Sequence, residues 1–395
     1  MAAELHGNSK HSYILKGKEE ILQNRISLED CLNDWKDISA FAHKYPKESY
    51  WAFDTGYGLM DIYKDYAGFD NNYQPKINTI HGTFMGMKPR WWLNSEAGFK
   101  SIPAMFVNYE TNKLMLESLF GDEKKFHLVQ HPYHLILENY KDELQTERAG
   151  SVLFLPHTLG FGTPFSIKFL LGALKKLPVQ TGPIKICIHP NDLNSESVAI
   201  LRKDNYEIVC CGARYDSLFL HRFFHICNGV KYCLSIDLST HTILSSLTGL
   251  EIIPLLDMIP VINWVHGNYS LPNNRPDEEY WPILKEFFEG NINQEIFRAA
   301  AFAVTGGYIK IDKLTLRNIF DEAEKLFIIR KKSDGAFKFS CKDWSLIEPT
   351  IIKYRAYRKA VQNRLSGNNK FIQPVASDIV YQLHKYYLSF DDNDK

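Results

Sequence analysis

From residue 151 onward the chain alternates between short apolar runs and longer stretches in which apolar residues recur every three or four positions. The first pattern suits strands covered on both faces, the second amphipathic helices. The spacing predicts strands over 151–156, 184–188, 206–211, 230–236 and 251–255, with helices over 164–177, 194–203, 216–227 and 239–249 between them. Strands separated by helical stretches of about 10–15 residues form βαβ units and a parallel sheet, so this span reads as one Rossmann-like lobe. Its run Ile184-Lys185-Ile186-Cys187-Ile188 stops at His189-Pro190, because proline lacks the N–H that another ladder step needs. Ligands of open α/β sheets bind beyond the carboxyl ends of the strands, so His189 is either a ligand-facing group or a turn histidine.

The flanks are less regular. A helical rhythm runs over 18–42, and a short strand over 49–53 leads into Asp54-Thr55-Gly56-Tyr57-Gly58, where two glycines permit a tight turn. Asp54 is there as a turn-former bonding its own backbone or as a carboxylate at the mouth of a cleft. Residues 78–92 combine glycines, His81, Lys88, Arg90 and two tryptophans, a loop-rich segment that either cradles an acceptor or covers the core edge. A strand over 104–108 and charged helices follow, and the polar stretch 142–150 marks a boundary. Beyond 256 the pattern is helical, over 277–288, 294–304, 313–327, 346–365 and 377–387. The expected organisation is an N-terminal lobe over 1–150, a Rossmann-like lobe over 151–256 and a helical extension over 257–395.

Composition narrows the picture modestly. Lys+Arg and Asp+Glu are both 46 in the 395 residues, so no basic excess points to nucleic acid. Cys31, Cys187, Cys210, Cys211, Cys227, Cys233 and Cys341 contain no CxxC pair and mostly sit in apolar segments, as reduced core residues do. No apolar run reaches the ~18 residues of a membrane span, and the N-terminus lacks a signal-peptide layout. A cytoplasmic location is expected. Arg355, Arg358, Lys359 and Arg364 lie along one predicted helix, as a solvated face or a patch for anionic lipid at the inner membrane surface.

Three predicted strands end in polar loops, carrying His157-Thr158, His189-Pro190 and Ser239-Thr240. Ser239 and Thr240 at a helix start are N-caps first, but the same position offers hydroxyls, N–H groups and a positive dipole to a phosphate. Neither GxGxxG nor GxxxxGK[ST] occurs in this span, which argues against a dinucleotide or P-loop site.

Taken in order, Asp54-Thr55-Gly56-Tyr57-Gly58, the strand ending in His189-Pro190, and Ser239-Thr240 opening a helix resemble the bacterial sialyltransferases and polysialyltransferases of GT-B fold, over residues 50–255. The resemblance implies an α/β, GT-B-like protein: two Rossmann-like lobes with a central cleft, the N-terminal lobe short or irregular, and a helical C-terminal extension. It implies an inverting transfer of a sialic acid or related nonulosonate from a CMP donor to a glycan or glycolipid acceptor. Asp54 matches the general base and His189-Pro190 the motif that meets CMP, with His189 also catalytic. Ser239 and Thr240 match the pair that meets the phosphate. His157 and Thr158 are expected beside the donor, and His81, Lys88 and Arg90 beside the acceptor. No metal or other cofactor is expected, nor nucleic acid; a peripheral capsule-assembly complex is a candidate partner. The chain departs from the family where Thr55 replaces a second carboxylate and where only about 50 residues precede Asp54, too few for a full Rossmann half. Neighbouring readings are a CMP-Kdo transferase, a CDP-glycerol glycerophosphotransferase, and a non-catalytic GT-B scaffold subunit.

Overall fold

The computed structural model describes residues 56–70, 73, 75–79, 102–108, 110, 113, 116–117, 120–155, 167–193, 196–212, 216–236, 240–255, 287 and 290–334. Within them lie two parallel sheets of three and five strands and eight α-helices, an α/β architecture of Rossmann-like type. The expected helices or strands over 18–42, 49–53, 346–365 and 377–387 lie outside the described residues, as does nearly all of that over 277–288.

The smaller sheet contains β1 (Ile77–Thr79), β2 (Ala104–Val107) and β3 (Lys125–Leu128) in that spatial order. Helix α1 (Leu59–Ala67) precedes it and α2 (Pro132–Asn139) follows it. Helix α1 ends where Gly68 turns left-handed, at φ 79°, and its N–H reaches back to the carbonyls of Asp65 and Lys64. Helix α2 starts with proline at its first turn, and the His131 side chain accepts a hydrogen bond from the Tyr133 N–H.

The larger sheet contains β4 (Ser151–Phe154), β5 (Ile184–Cys187), β6 (Glu207–Val209), β7 (Tyr232–Ser235) and β8 (Glu251–Pro254). Its spatial order is β6-β5-β4-β7-β8, every neighbour parallel. Between the strands run α3 (Ile167–Lys175), α4 (Glu196–Lys203), α5 (Phe219–Cys227) and α6 (Thr240–Leu247). Alternate residues of each strand face opposite sides, and the core divides accordingly. Leu153, Ile186 and Leu234 pack with Leu170 and Leu174 of α3 and Val198 and Leu201 of α4. Val152, Phe154 and Cys233 face the other way, onto Phe223 and Phe224 of α5 and Ile243 and Leu244 of α6.

This second core face continues without a break into the smaller sheet, through Tyr133, Ile136 and Tyr140 of α2 to Leu59 and Tyr63 of α1 and Phe106 of β2. The helices after β8 close it. Helix α7 (Gln294–Val304) is capped by Asn293, which accepts from the N–H groups of Glu295 and Ile296, and it packs along α6. Helix α8 (Lys313–Asp334) runs back to the smaller sheet and lies on α1 and β1. There Phe320 meets the rings of Phe69, Tyr73 and Phe106 at 5.2, 5.9 and 5.3 Å, and each such ring taken out of water stabilises by roughly 1.5–3 kcal/mol. Among the described residues no helix is long and apolar enough to cross a membrane.

Candidate functional site

A strand order that runs outward from β4 to β6 on one side and to β8 on the other has its topological switch between β4 and β7. The helix after β4 lies on one face of the sheet and the helix after β7 on the opposite face. In open sheets of this kind ligands bind at the carboxyl edge beside such a switch point. Of the sequence-predicted residues, the structure describes three at this edge. Thr240 is the first residue of α6 and is half-buried. His189, also half-buried, follows β5 directly beside β4, and Pro190 is buried at the start of a 3-10 turn, Pro190–Asp192. The Asp192 N–H donates to the His189 carbonyl at 2.9 Å and the Leu193 N–H to that of Pro190 at 3.3 Å, so the turn behind His189 is closed.

Asp54, His81, Lys88, Arg90, His157, Thr158 and Ser239 lie outside the described residues. The turn that follows Asp54, Gly56–Gly58, is described, and it docks on the larger sheet's side. The Tyr57 ring lies 4.7 Å from that of Phe219 at the start of α5. Gly58 sits at φ 72°, and a Cβ there would stand 2.4 Å from the Ser217 carbonyl oxygen, so only glycine fits. Helix α5 follows β6, the outer neighbour of β5. The turn after Asp54 thus meets the carboxyl edge on the side of His189.

That stretch of edge is held by a buried ion pair that sequence spacing did not single out. Arg222 Nη1 donates to Asp216 Oδ2 at 2.5 Å and to the Cys211 carbonyl at 3.3 Å, both charged side chains being under 10% exposed. Asp216 Oδ1 accepts from the Leu218 N–H at 2.9 Å, capping the approach to α5. Gly212, at φ 104°, leaves room for the pair: a Cβ would lie 2.6 Å from Asp216 Oδ2 and 2.7 Å from Arg222 Nη1. Below the edge Cys187 and Cys211 place their sulfurs 3.5 Å apart. Burial pushes the Cys210 thiol up to about 12 and those of Cys211 and Cys227 well above their usual range, so these are core thiols rather than nucleophiles.

At the switch itself sequence reasoning passed over an aromatic stack. Phe154, the last residue of β4, stacks on Phe223, 5.0 Å away at 25°, and meets the tilted ring of His241, 5.1 Å away at 30°. His241 is half-buried at the second position of α6. The Ser-Thr-His run showed the histidine, but its ring partners are far away in the sequence, and no local pattern announces them.

The carboxyl edge of the smaller sheet differs in kind. Asn108, after β2, donates to the Tyr63 hydroxyl at 3.1 Å and to the Val129 carbonyl at 3.0 Å, and the Tyr63 hydroxyl donates to the Gln130 carbonyl at 2.7 Å. The turn after α7 covers it: the His131 N–H donates to the Thr305 carbonyl at 2.8 Å, and His134 Nε2 lies 2.8 Å from Thr305 Oγ1. Burial holds the His131 imidazole down to about 3, with His134 adding to it, and that of His134 down to about 4. The Asn78 amide, the Thr79 hydroxyl and His131 Nε2 are buried with no hydrogen-bond partner among the described residues.

Among the described residues no group of three or more His, Cys, Asp and Glu side chains is arranged to hold a metal ion. No protein-family model matches the chain, and no curated protein matches it.

Proposed function

We propose that the chain is an inverting glycosyltransferase of GT-B organisation that moves a sialic acid or related nonulosonate from CMP to a glycan acceptor. The single observation carrying the reading is the strand order. It puts the topological switch between β4 and β7, and His157-Thr158 and Ser239-Thr240 follow those two strands in the sequence. His189 stands one strand over, and the turn after Asp54 docks on the neighbouring helix start. Among the described residues, His189, Pro190 and Thr240 follow strands of this one edge. The return of α8 to the smaller sheet also fits a two-lobe enzyme whose C-terminal helices complete the first lobe.

The chemistry follows from the residue types. Asp54 takes the proton of the acceptor hydroxyl as that oxygen attacks the anomeric carbon of the donor sugar. The bond from that carbon to the phosphate oxygen breaks, and CMP leaves with the electron pair. His189, Ser239 and Thr240 stabilise the departing phosphate through hydrogen bonds and the positive end of α6. His81, Lys88 and Arg90 contact the acceptor, and the enzyme works in the cytoplasm at the inner membrane face without a metal.

Two measurements test this. A ligand at 100 times its Kd adds about 2.7 kcal/mol of stability, so CMP is expected to raise the melting temperature clearly above UMP, UDP or GDP. An equal response to UDP removes the donor assignment. Asp54→Asn is expected to cut kcat by ~10²–10⁴ in EDTA-treated enzyme while leaving CMP affinity unchanged, as loss of a general base does. Full turnover in that variant returns Asp54 to a turn-forming role.

A further inference from the structure

We infer that Cys187 and Cys211 are a redox modification site, two thiols that the fold holds in place to form a reversible disulfide across the ends of β5 and β6. The site stands apart from the transferase reading. Cys187 closes β5 and pairs with Val209 of β6, and Cys211 lies two residues beyond Val209, so both side chains leave the sheet on the same face. Their sulfurs are 3.5 Å apart in the core and need close by only about 1.5 Å to reach the ~2.0 Å of a disulfide. The other described cysteines are engaged elsewhere. Cys210 faces the opposite side of the sheet, and its sulfur accepts from the Gly212 N–H at 3.3 Å. The Cys227 sulfur lies 3.8 Å from Ser245 Oγ, and that of Cys233 lies 4.0 Å from the Leu234 carbonyl oxygen.

The backbone on either side of the pair is fixed. The Leu155 N–H donates to the Cys187 carbonyl at 3.0 Å, the Ile188 N–H to that of Val209 at 2.9 Å, and Arg222 Nη1 to that of Cys211 at 3.3 Å. The sulfurs therefore approach by side-chain rotation while the strands keep their register, and closing the bridge costs little chain freedom because folding has already removed it. The oxidant is a low-molecular-weight disulfide. Cys187 gives its proton to water, and its thiolate attacks one sulfur of the reagent and expels a thiolate, leaving a mixed disulfide on Cys187. The Cys211 sulfur then attacks the Cys187 sulfur as its own proton goes to water, and the second thiolate leaves. The reagent has gained the two electrons that the two thiols have lost. Burial keeps the Cys211 thiol protonated in the resting fold, so it is inert toward reagents in solution and reacts with the one sulfur beside it. In a reducing compartment the pair rests as thiols and bridges when oxidant rises. The bridge then ties the strand that leads into His189 to the segment that Arg222 holds.

The test is the equilibrium of the folded full chain with glutathione buffers of rising oxidised fraction, approached from the reduced and from the oxidised side so that burial affects only the rate. Samples are quenched with acid, alkylated in denaturant and mapped by peptide mass. The expected result is a linked Cys187–Cys211 peptide, lighter by two hydrogens than its two thiol parts, with the other five of the seven cysteines alkylated. Excess reduced glutathione is expected to remove the link. The bridged chain is expected to melt above the reduced one, because the link joins positions 24 apart and so restricts the unfolded chain. Cys187 and Cys211 both still alkylated at the most oxidising ratio that leaves the chain folded, or a link that forms only in urea, overturns the inference. A bridged chain that melts below the reduced one overturns it too, since the pair would then be pulled out of its native geometry. In Cys187→Ala and in Cys211→Ala no other cysteine is expected to link. A new link through Cys210 or Cys227 would show exchange without a preset partner and would equally overturn it, and the wild-type map decides even where neither variant folds.

Discussion

Two parallel sheets in one chain end in carboxyl edges of opposite character. At the edge of the five-stranded sheet, His189, Thr240 and His241 are half-buried and bracket a topological switch. At the edge of the three-stranded sheet, Asn78, Thr79, Asn108 and His131 are buried, and the turn between α7 and α8 is bonded across them. A Cβ on Gly306 of that turn would stand 2.6 Å from the Asn108 carbonyl oxygen, so the closure is at backbone distance. A parallel sheet of itself offers a ligand site at its carboxyl edge; whether that edge is used depends on what the rest of the chain lays over it. Here the turn between α7 and α8 seals one edge, whereas at the other His189, Thr240 and His241 are half-buried.

The sealed edge predicts an acid sensitivity. His131 and His134 are neutral in the fold, with folded values near 3 and 4 against about 6.5 in an unfolded chain. A base whose folded value is depressed gives its full stabilisation above about pH 6.5, and loses it as the pH falls toward the folded value, because the unfolded chain takes up the protons. Each histidine contributes up to about 1.4 kcal/mol per pH unit, so lowering the pH from 6.5 to 4.5 is expected to cost about 5 kcal/mol from the two together. His131→Asn retains an oxygen that caps the Tyr133 N–H but does not titrate. Urea unfolding from pH 7 to 4.5 is expected to show a shallower fall for this variant by about 1.4 kcal/mol per pH unit. Parallel curves would mean that His131 reaches water and the edge is not sealed.

At the other edge the buried Asp216–Arg222 pair joins the turn before α5 to that helix. Replacing Arg222 with Met leaves a buried carboxylate unpaired, which is expected to cost about 3–5 kcal/mol. Removing both charges, as Asp216→Leu with Arg222→Met, is expected to restore much of that loss, since a buried pair is close to neutral against apolar residues of similar size. Thermal or urea unfolding of the two variants measures the difference. If the double variant is no better than the single one, the pair holds the 216–218 turn through Asp216's cap to Leu218 rather than through charge.

The physics of each sheet explains what was legible in the sequence. Strands β4, β5, β6, β7 and β8 fall inside the apolar runs predicted for them because a strand covered on both faces has few polar positions. Their helices begin and end within about three residues of the predicted positions, near the N-caps and glycines that set those limits. The smaller sheet was only partly readable. Strand β2 matches the predicted 104–108, but β1 is three residues long, two of them polar, and its Asn78 and Thr79 fall within the stretch read as loop-rich. Strand β3, Lys-Phe-His-Leu, lies at the sheet edge in a span predicted as helix, where short length and polar alternation hide it. Helix α8 runs to Asp334 rather than stopping at 327, carrying Ile328 and Ile329 at 42% and 62% exposure beyond the predicted end. The candidate site was legible as residues that end strands, since proline and capping chemistry mark them locally. The order β6-β5-β4-β7-β8, which makes those ends neighbours, and the Phe154 stack are products of tertiary packing with no local signature.

The smallest expected effect tests how α8 is attached to the smaller sheet. Two contacts join them across the same face: the Phe320 ring among Phe69, Tyr73 and Phe106, and an ion pair between Lys125 and Glu322. The ion pair holds the Glu322 carboxyl below the usual range, but both side chains are about half exposed, so solvent screens the attraction. Such pairs contribute about 0–1 kcal/mol, and Glu322→Gln is expected to move the unfolding free energy by no more than that, with the shift shrinking further in 1 M salt. Phe320→Ala removes a fully buried ring and is expected to cost about 3–5 kcal/mol. The ratio decides what closes the sealed edge. An effect of Glu322→Gln approaching that of Phe320→Ala would make α8 an electrostatic strap, released by salt, and the contrast between the two edges would then depend on ionic strength. A large effect for the phenylalanine alone makes α8 part of the first core, and the smaller sheet stays covered in every salt condition in which the protein is folded.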